Sequence, residues 1–458
     1  MPSLPPSTGT GSSEDDVASL TTGSSQTGDP REEDTGPSIA RARTVASDGS
    51  EAVDDGPPME ICLVVYGDIN ATSGGFRYDR EVVSRLRERG DSVDVISLPW
   101  RSYGRGLADT LDPRVRERLN RDVDVLIEDG LCHPSVWRHN RQLTEPDVVV
   151  GLVHHVRSDD PTERYAPLIQ PFERRFFGSV DATITTSRFT QNRVAQIAPS
   201  TATDLSVVAP PAGRMEGPAT TVERVRARAR RGPLRVVFVG NVVPRKNLET
   251  LIDALSRLDR STEAGVDWRA TVVGSLDAAP SYADRLRTRT ERLGLDDRVE
   301  FAGELSDDAL ASTMAESHVC CVPARYEAFG MVHLEAMEHG TVPIAGSVGG
   351  TDEFLRDGTN GFLVDPEDHR SIAERLERLA ADRDQLAALG VAALHTAEAH
   401  PDWAETTDRI RAWLRSLVGD EQTDPQRTAA TGAHHSTTDV SRPVRPRRAT
   451  DGTGGGNE

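Results

Sequence analysis

Apolar residues come along this chain in short unbroken runs, separated by stretches in which they recur every three or four positions. "EICLVVYG" (60–67), "SVDVISL" (92–98), "VDVLIE" (123–128), "VVVGLVHH" (148–155), "ATITTS" (182–187) and "LSVVAPP" (205–211) are runs of strand length. "YDREVVSRLRERG" (78–90), between the first two, is an amphipathic helix that ends at Gly90. Near-continuous apolar strands with helices between them predict a parallel sheet covered on both faces. The alternation stops over "AGRMEGPATTVERVRARARRGP" (212–233) and resumes with "RVVFVGN" (235–241), "RATVVG" (269–274), "RVEFAG" (298–303), "HVCCVPA" (318–324) and "TVPIAG" (341–346). Helices are expected over 247–258 and 306–316, and again at 402–417. The fold class is therefore α/β, with two doubly wound domains in tandem. The first spans 58–212 and the second 234–400, joined by a linker at 213–233 and followed by a helix at 401–418. Ligands of such sheets sit at the carboxyl ends of the strands, so the cleft between the two units is where chemistry is expected.

Composition changes this picture at the ends. Residues 1–57 and 419–458 are rich in Ser, Thr, Gly, Asp and Pro and show no periodicity. Both tails are expected to be disordered, because they bury too little apolar surface to offset chain entropy. No run approaches the roughly 20 apolar residues of a membrane span. Residues 1–30 hold no apolar stretch like that of a secretory leader. The expected location is the cytoplasm, at most peripheral at the inner face of a membrane. "PFERRFFGSV" (171–180) mixes arginines with phenylalanines but reads best as a helix packed on the sheet. Cys62, Cys132, Cys320 and Cys321 have no zinc-site spacing and read as buried free thiols.

The formal net charge of −20 excludes a nucleic-acid binder, whose partner's phosphates require a basic surface. Strong acidity with a single lysine, Lys246, reads as adaptation to high salt.

That lysine stands in "VGNVVPRKNLETLI" (239–252), where a strand ends at Gly240 and a helix begins near Asn247. Arg245 and Lys246 thus sit at a helix N-terminus, whose free N–H groups already favour an anion; together they suit a diphosphate. In "GDINATSGGFRYDREVV" (67–83), Gly74 and Gly75 lie before a helix and allow close backbone approach to a phosphate or sugar, or simply make a turn. His154 and His155 end a predicted central strand, and a pair there is a candidate for substrate hydroxyls. In "ARYEAFGMVHLEAMEHG" (324–340), a helix is expected from Phe329 or Gly330 to about His339, apolar on most sides. Glu335 falls inside it and needs donors, because a buried unpaired carboxylate is costly. The hydroxyls of a ribose would serve, and so would an arginine. Glu327, in the preceding loop, is free to face a sugar.

These residues resemble the retaining glycosyltransferases of family 4. The likeness rests on "EAFGMVHLE", a Glu–x7–Glu motif with Phe–Gly after the first glutamate, and on "GTVPIAGSVGGTDEFLRDGTNGFLVDPED" (340–368), "GNVVPRKN" and "LGLDDRVEFAGELSDDAL" (293–310). It is dense over the C-terminal domain and looser over the N-terminal one. The resemblance implies a GT-B fold, two Rossmann-like domains with the donor in the cleft. It also implies retaining transfer of a sugar from a UDP- or GDP-sugar to a hydroxyl acceptor, with no metal and no further cofactor. By position, Arg245 and Lys246 would neutralise the diphosphate, Glu335 would bind ribose, and Glu327 the donor sugar. Backbone around Phe329, Gly330, Met331 and Val332 would hold phosphate and sugar oxygens. Gly240, Gly274, Glu304 and Leu305 would line the nucleotide, and Gly75, beside Gly74, would approach the diphosphate from the other domain. One of His154 and His155 would face the reacting sugar. Where the family has Gly after the lysine, this chain has Asn247, expected here as a helix N-cap. The acceptor class, whether a carbohydrate, a lipid-linked or a small molecule, stays open. So do two rival readings: a non-catalytic sugar-nucleotide-binding partner, and another GT-B enzyme such as an epimerase or phosphorylase.

Overall fold

The computed structural model describes residues 56–71, 73–199, 205–215, 217–260 and 266–419. Residues 1–55 and 420–458, most of the two polar tails, lie outside the described residues. The strands of the first sheet are β1 (Glu60–Tyr66), β2 (Ser92–Leu98), β3 (Val125–Asp129), β4 (Val148–Val153), β5 (Ala182–Thr185) and β6 (Ser206–Val208). They run in the order β2-β1-β3-β4-β5-β6, every described pair parallel. The second sheet holds β7 (Leu234–Val239), β8 (Trp268–Val273), β9 (Val299–Gly303), β10 (Val319–Val322), β11 (Val342–Gly346) and β12 (Phe362–Val364). Its order is β12-β11-β10-β7-β8-β9, again parallel.

The helices around the first sheet are α1 (Gly74–Glu88), α2 (Tyr103–Asp109), α3 (Pro113–Leu119), α4 (His133–Asn140), α5 (Ala166–Phe177) and α6 (Arg188–Ile197). After them come α7 (Val222–Ala229), α8 (Leu248–Arg260), α9 (Pro280–Arg292), α10 (Asp307–Glu316), α11 (Met331–Glu338), α12 (His369–Ala381), α13 (Arg383–Glu398) and α14 (Trp403–Gly419). None of the described helices is long and apolar enough to cross a membrane.

Each sheet reverses its direction of growth once. In the first the reversal lies between β1 and β3, in the second between β7 and β10. The strand ends at such a point diverge and leave a crevice at the carboxyl edge. The two halves of the fold meet along these edges. Ser187 Oγ donates to the Ala328 carbonyl at 2.7 Å, and the Phe189 N–H to Glu353 Oε1 at 2.9 Å. The last described helix, α14, lies against α1. There Trp403 Nε1 donates to the Gly213 carbonyl at 2.9 Å, and the buried Arg411 guanidinium pairs with Asp91 at 2.8 Å.

Several elements differ from expectation. The segment 213–233, read as a linker, contains α7, which packs against α13 through the buried Val225. The three-residue strand β12 was too short to register as an apolar run. The first sheet's β4 stops at Val153, so His154 and His155 lie in the loop beyond it and not on the strand. Helix α8 starts at Leu248, directly after Asn247, whose backbone is left-handed and not the extended conformation of an ordinary N-cap and whose Oδ1 accepts from Thr250 Oγ1 at 3.0 Å. Asn247 is a buried residue, φ 57°, and is the described non-glycine residue with positive φ. Asparagine tolerates that conformation. Its Nδ2 donates to the carbonyls of Pro323 and Pro366 at 3.1 and 2.6 Å. The position therefore demands either glycine or a residue that offsets left-handed backbone with buried hydrogen bonds. All four cysteines are buried free thiols.

Candidate active site

The strands β7, β8 and β9 end side by side, which brings Gly240, Gly274, Glu304 and Leu305 into one row. Gly274 has φ 136°, and a β-carbon on it would stand 2.1 Å from the Gly240 carbonyl oxygen, so glycine is required there. Its N–H donates to the Gly303 carbonyl at 2.8 Å, next to Glu304, which is exposed, and Leu305, which is half-buried. The side chain of Lys246 lies across Gly240, with Cε 3.4 Å from where a β-carbon would be. Arg245 and Lys246 close a short 3-10 turn at Pro244–Lys246. That turn is held by the Arg325 N–H on the Arg245 carbonyl at 2.9 Å and by Arg325 Nη1 on the Pro244 carbonyl at 2.8 Å.

The loop after β10 meets these cations. Lys246 Nζ donates to Glu327 Oε2 at 2.5 Å. Arg245 Nη1 donates to the Tyr326 carbonyl at 2.9 Å and lies 3.8 Å from the same carboxylate. Burial alone would raise the Glu327 carboxyl; the Lys246 and Arg245 charges outweigh it and hold it down at about 2. Phe329 is buried against Phe354, ring centroids 5.0 Å apart, so it contributes only backbone to the site. Gly330 then turns left-handed at φ 97° and opens α11, with Met331 and Val332 half-buried in its first turn. A β-carbon at Gly330 would stand 2.7 Å from Thr351 Oγ1. His333 is buried beneath this turn, and burial pushes its imidazole down to about 4, which leaves it neutral.

Glu335, one turn deeper, is 5% exposed and accepts from Arg77 Nη1 of α1 at 2.9 Å, with Arg214 Nη2 at 3.4 Å. The arginine alternative is thus the geometry present here. The described partners of Glu335, Arg77 and Arg214, both meet Oε1, which leaves Oε2 to a ligand's hydroxyl. Glu338, on the same helix, accepts from the N–H groups of Arg214 and Met215, and burial pushes its carboxyl up to about 7.

From the first sheet, Gly74 lies against Met331, with a β-carbon position 3.4 Å from its Sδ. The N-terminal turns of α1 and α11 therefore meet, and both offer free N–H groups. Gly75 lies against the His154 ring, again at 3.4 Å. His154 Nε2 donates to Asp79 Oδ1 at 2.9 Å. His155 lies close enough to Arg245 and Glu327 to feel their charges. Burial first, then the Arg245 and His154 charges, push its imidazole down to about 3. The neutral imidazole is therefore the one beside the cationic pair, and His154 is the one held by carboxylates.

The structure thus gathers Gly240, Arg245, Lys246, Gly274, Glu327, Gly330, Met331, His155 and the Gly74–Gly75 turn around one cleft. Glu304 and Leu305 stand at its outer strand. Sequence reasoning missed Arg77, Asp79, Asp129, Asp160 and His333. Asp160 Oδ2 lies 3.5 Å from Arg245 Nε and joins the first domain to the second. A signal existed for Asp79: it follows Gly75 by four residues and so lies on the same helix face. Among the described residues, Asp79, Asp129 and His154 are the one group whose carboxylate and imidazole atoms gather within 4.8 Å as ligands of a metal would. Within this group the contact of His154 Nε2 with Asp79 Oδ1 is a hydrogen bond.

Residues 220–395 match the family model of glycosyl transferases group 1. A D-inositol 3-phosphate glycosyltransferase of Streptomyces bingchenggensis is 34% identical over 184 residues, 38% of this chain and 40% of that protein. The chain therefore spans well under two thirds of that relative's length. A GDP-mannose-dependent alpha-(1-6)-phosphatidylinositol monomannoside mannosyltransferase of Mycobacterium tuberculosis is 28% identical over 391 residues, 78% of this chain and 98% of that protein. Among solved structures, sucrose-phosphate synthase from Thermosynechococcus elongatus superposes with a TM-score of 0.64 at 21% identity, covering 79% of this chain and 99% of that one. Anabaena HepE, solved with UDP and glucose, gives 0.61 at 20% identity, covering 78% and 100%. These two likenesses are of fold. With two parallel sheets facing each other across a cleft, the chain has the GT-B fold, and the segment that matches glycosyl transferases group 1, residues 220–395, spans the second of them.

Proposed function

We propose that this chain is a retaining glycosyltransferase of family 4 type that moves a sugar from a nucleoside diphosphate donor to a hydroxyl acceptor. The observation that carries this reading is the meeting of Arg245, Lys246 and Glu327 with the N-terminal turns of α1 and α11. An arginine, a lysine and two helix N-termini around one point are the chemistry of a diphosphate site. They neutralise the charge that grows on the departing phosphate, so the reaction asks for no metal ion. Glu327 Oε1 is unused among the described residues and faces the place of the donor sugar; Glu335 Oε2 would take a ribose hydroxyl. In the retaining step the C1–O bond to the phosphate breaks and the acceptor oxygen bonds to C1 on the same face. The acceptor hydroxyl's proton passes to the departing phosphate oxygen.

The curated relatives' names cite inositol 3-phosphate and a phosphatidylinositol mannoside, one with GDP-mannose as donor. GDP-mannose and inositol-bearing acceptors are therefore the first pair to try, with UDP-sugars beside them. The test is a screen of UDP- and GDP-sugars for thermal stabilisation of the protein in concentrated salt, followed by an assay for nucleoside diphosphate release. Stabilisation by one donor with release is the expected result. Stabilisation without release under any acceptor would instead mark a sugar-nucleotide-binding partner. No stabilisation by any donor defeats the proposal.

A further inference from the structure

Asp79, Asp129 and His154 reach one point from the second turn of α1, the end of β3 and the loop after β4, their side-chain atoms within 4.8 Å of one another. Asp79 is 0% exposed and Asp129 is 2% exposed. Two dry carboxylates at this distance repel unless a positive charge or a proton lies between them. His154 is placed to be that charge, with Nε2 donating to Asp79 Oδ1. Asp129 Oδ1 is held separately by the Leu131 N–H at 2.9 Å, and Asp79 Oδ2 is buried with no hydrogen-bond partner. The edge of Tyr78 meets the imidazole at 5.2 Å between centroids, and Thr186 Oγ1 donates to the His154 carbonyl at 3.1 Å. With Nε2 committed, Nδ1 is the ring nitrogen left for a ligand. The ring lies against Gly75 in the first turn of α1, where free N–H groups already favour an anion.

We infer that Asp79 and Asp129 are positioning residues of the donor site. They hold His154 in one orientation as an imidazolium, whose charge and Nδ1–H serve the donor diphosphate from the side of the first sheet. The inference rests on the donor-site reading above. A neutral ring with its proton on Nε2 would present a lone pair at Nδ1, which repels a phosphate oxygen; the imidazolium presents a donor. The charged and titratable groups around the ring are Tyr78 and Asp79 from α1, Asp129 from β3, and His155 from its own loop, with Arg245 beyond it. Burial alone would lower the His154 imidazole. The charge and hydrogen bond of Asp79, then the charge of Asp129, outweigh it and raise the ring to about 9.

The test uses the full chain and its Asp79→Asn, Asp129→Asn and His154→Gln variants. The first readout is the titration of 13C-labelled histidine by NMR. The resonance that His154→Gln removes is expected to titrate near 9, and to fall toward the ordinary 6.5 in Asp79→Asn. The second is kcat/KM for nucleoside diphosphate release against pH. Asp79→Asn should lose about 30-fold at pH 8, from the ratio of protonated fractions, and recover near pH 5.5. Asp129→Asn should shift the same limb by less. A wild-type resonance titrating at or below 6.5 overturns the inference, as does an equal loss at every pH in Asp79→Asn, which would mark a scaffold role only. If no donor is turned over while the resonance still moves from 9 toward 6.5, the donor reading fails and the fixed imidazolium stands.

Discussion

The two sheets come to the cleft with the same topology and opposite charge. At the reversal of the second, between β7 and β10, two cations and a helix N-terminus face one carboxylate. At the reversal of the first, between β1 and β3, with β4 beside it, two carboxylates face one imidazole. The second edge relies on a guanidinium and an ammonium, the first on a ring whose charge is lent by its neighbours. A doubly wound sheet supplies the place for a ligand. What is bound there, and over what pH range, is decided by the few side chains the crevice collects.

The largest effect should fall on the second edge. Lys246→Ala removes the ammonium and leaves Glu327 buried beside Arg245 alone. Transfer should drop by about 10²–10³, the cost of one preorganised charge on a developing anion. Glu335→Ala should fall in the same range if a ribose uses that carboxylate. His154→Gln at pH 7 should cost about 50-fold, within the range of one charge-assisted hydrogen bond. Single-turnover assays on folded protein check all three. The contrast breaks if Lys246→Ala keeps more than a tenth of wild-type turnover, or if His154→Gln costs as much as Lys246→Ala.

Next comes rigidity. Gly274→Ala forces a β-carbon to within 2.1 Å of the Gly240 carbonyl at φ 136°. Neither partner is a side chain that can move away. The loss should be about 3 kcal/mol or more in a denaturant titration. Gly75→Ala places its methyl 3.4 Å from the His154 ring, an ordinary contact, inside a helix that favours alanine. Its stability should stay within about 0.5 kcal/mol of wild type. Equal losses in the two variants would mean that the edges are equally tight.

The pH dependence of stability separates the edges again. His154 is raised from 6.5 to about 9, so its contribution is complete below 6.5 and is lost as pH climbs through 9. Glu327 is lowered from 4.5 to about 2, so its contribution is complete above 4.5 and is lost as pH falls through 2. The first edge should therefore fail in alkali and the second in acid. The difference in unfolding free energy between wild type and His154→Gln should shrink by at most about 3 kcal/mol between pH 6 and pH 10. A difference that grows with pH would reverse the assignment of the charge.

The same contrast explains what could be read from residue order. The alternation of apolar runs and amphipathic stretches carried the two parallel sheets, because burial on both faces leaves a periodic mark. The second edge was also legible, since Arg245–Lys246 and Glu327–Gly330 are each contiguous and stand where a strand gives way to a helix. The first edge was legible only in part. His154 was singled out with His155, but Asp79 and Asp129, 75 and 25 positions before it, look like ordinary polar residues, one inside a helix and one at the end of a strand. Only the strand order β1-β3-β4 brings them together. The left-handed backbone of Asn247 was hidden for a related reason: asparagine before a helix fits an N-cap and a positive φ equally well. His154 and His155 were placed on a strand because their neighbours are apolar. The strand ends at Val153, where its pairing with β5 runs out.

The smallest effect concerns the bond that joins the edges, Arg77 to Glu335. Arg77 belongs to α1 of the first domain, and Glu335 to α11 of the second; their side chains are 14% and 7% exposed. A buried pair of this kind costs desolvation and returns most of it as mutual attraction, so its net worth is small while its coupling is measurable. In the absence of donor, a double-mutant cycle of Arg77→Met and Glu335→Gln should give a coupling of about 1 kcal/mol in unfolding free energy. The guanidinium and a ribose compete for the carboxylate when a nucleotide is present. With donor bound, the coupling should fall, because hydroxyls on Oε2 draw on the same carboxylate charge that Arg77 holds through Oε1. An unchanged coupling under saturating donor would mean that Glu335 is a structural partner of Arg77 alone, and the ribose would have to be sought elsewhere along α11.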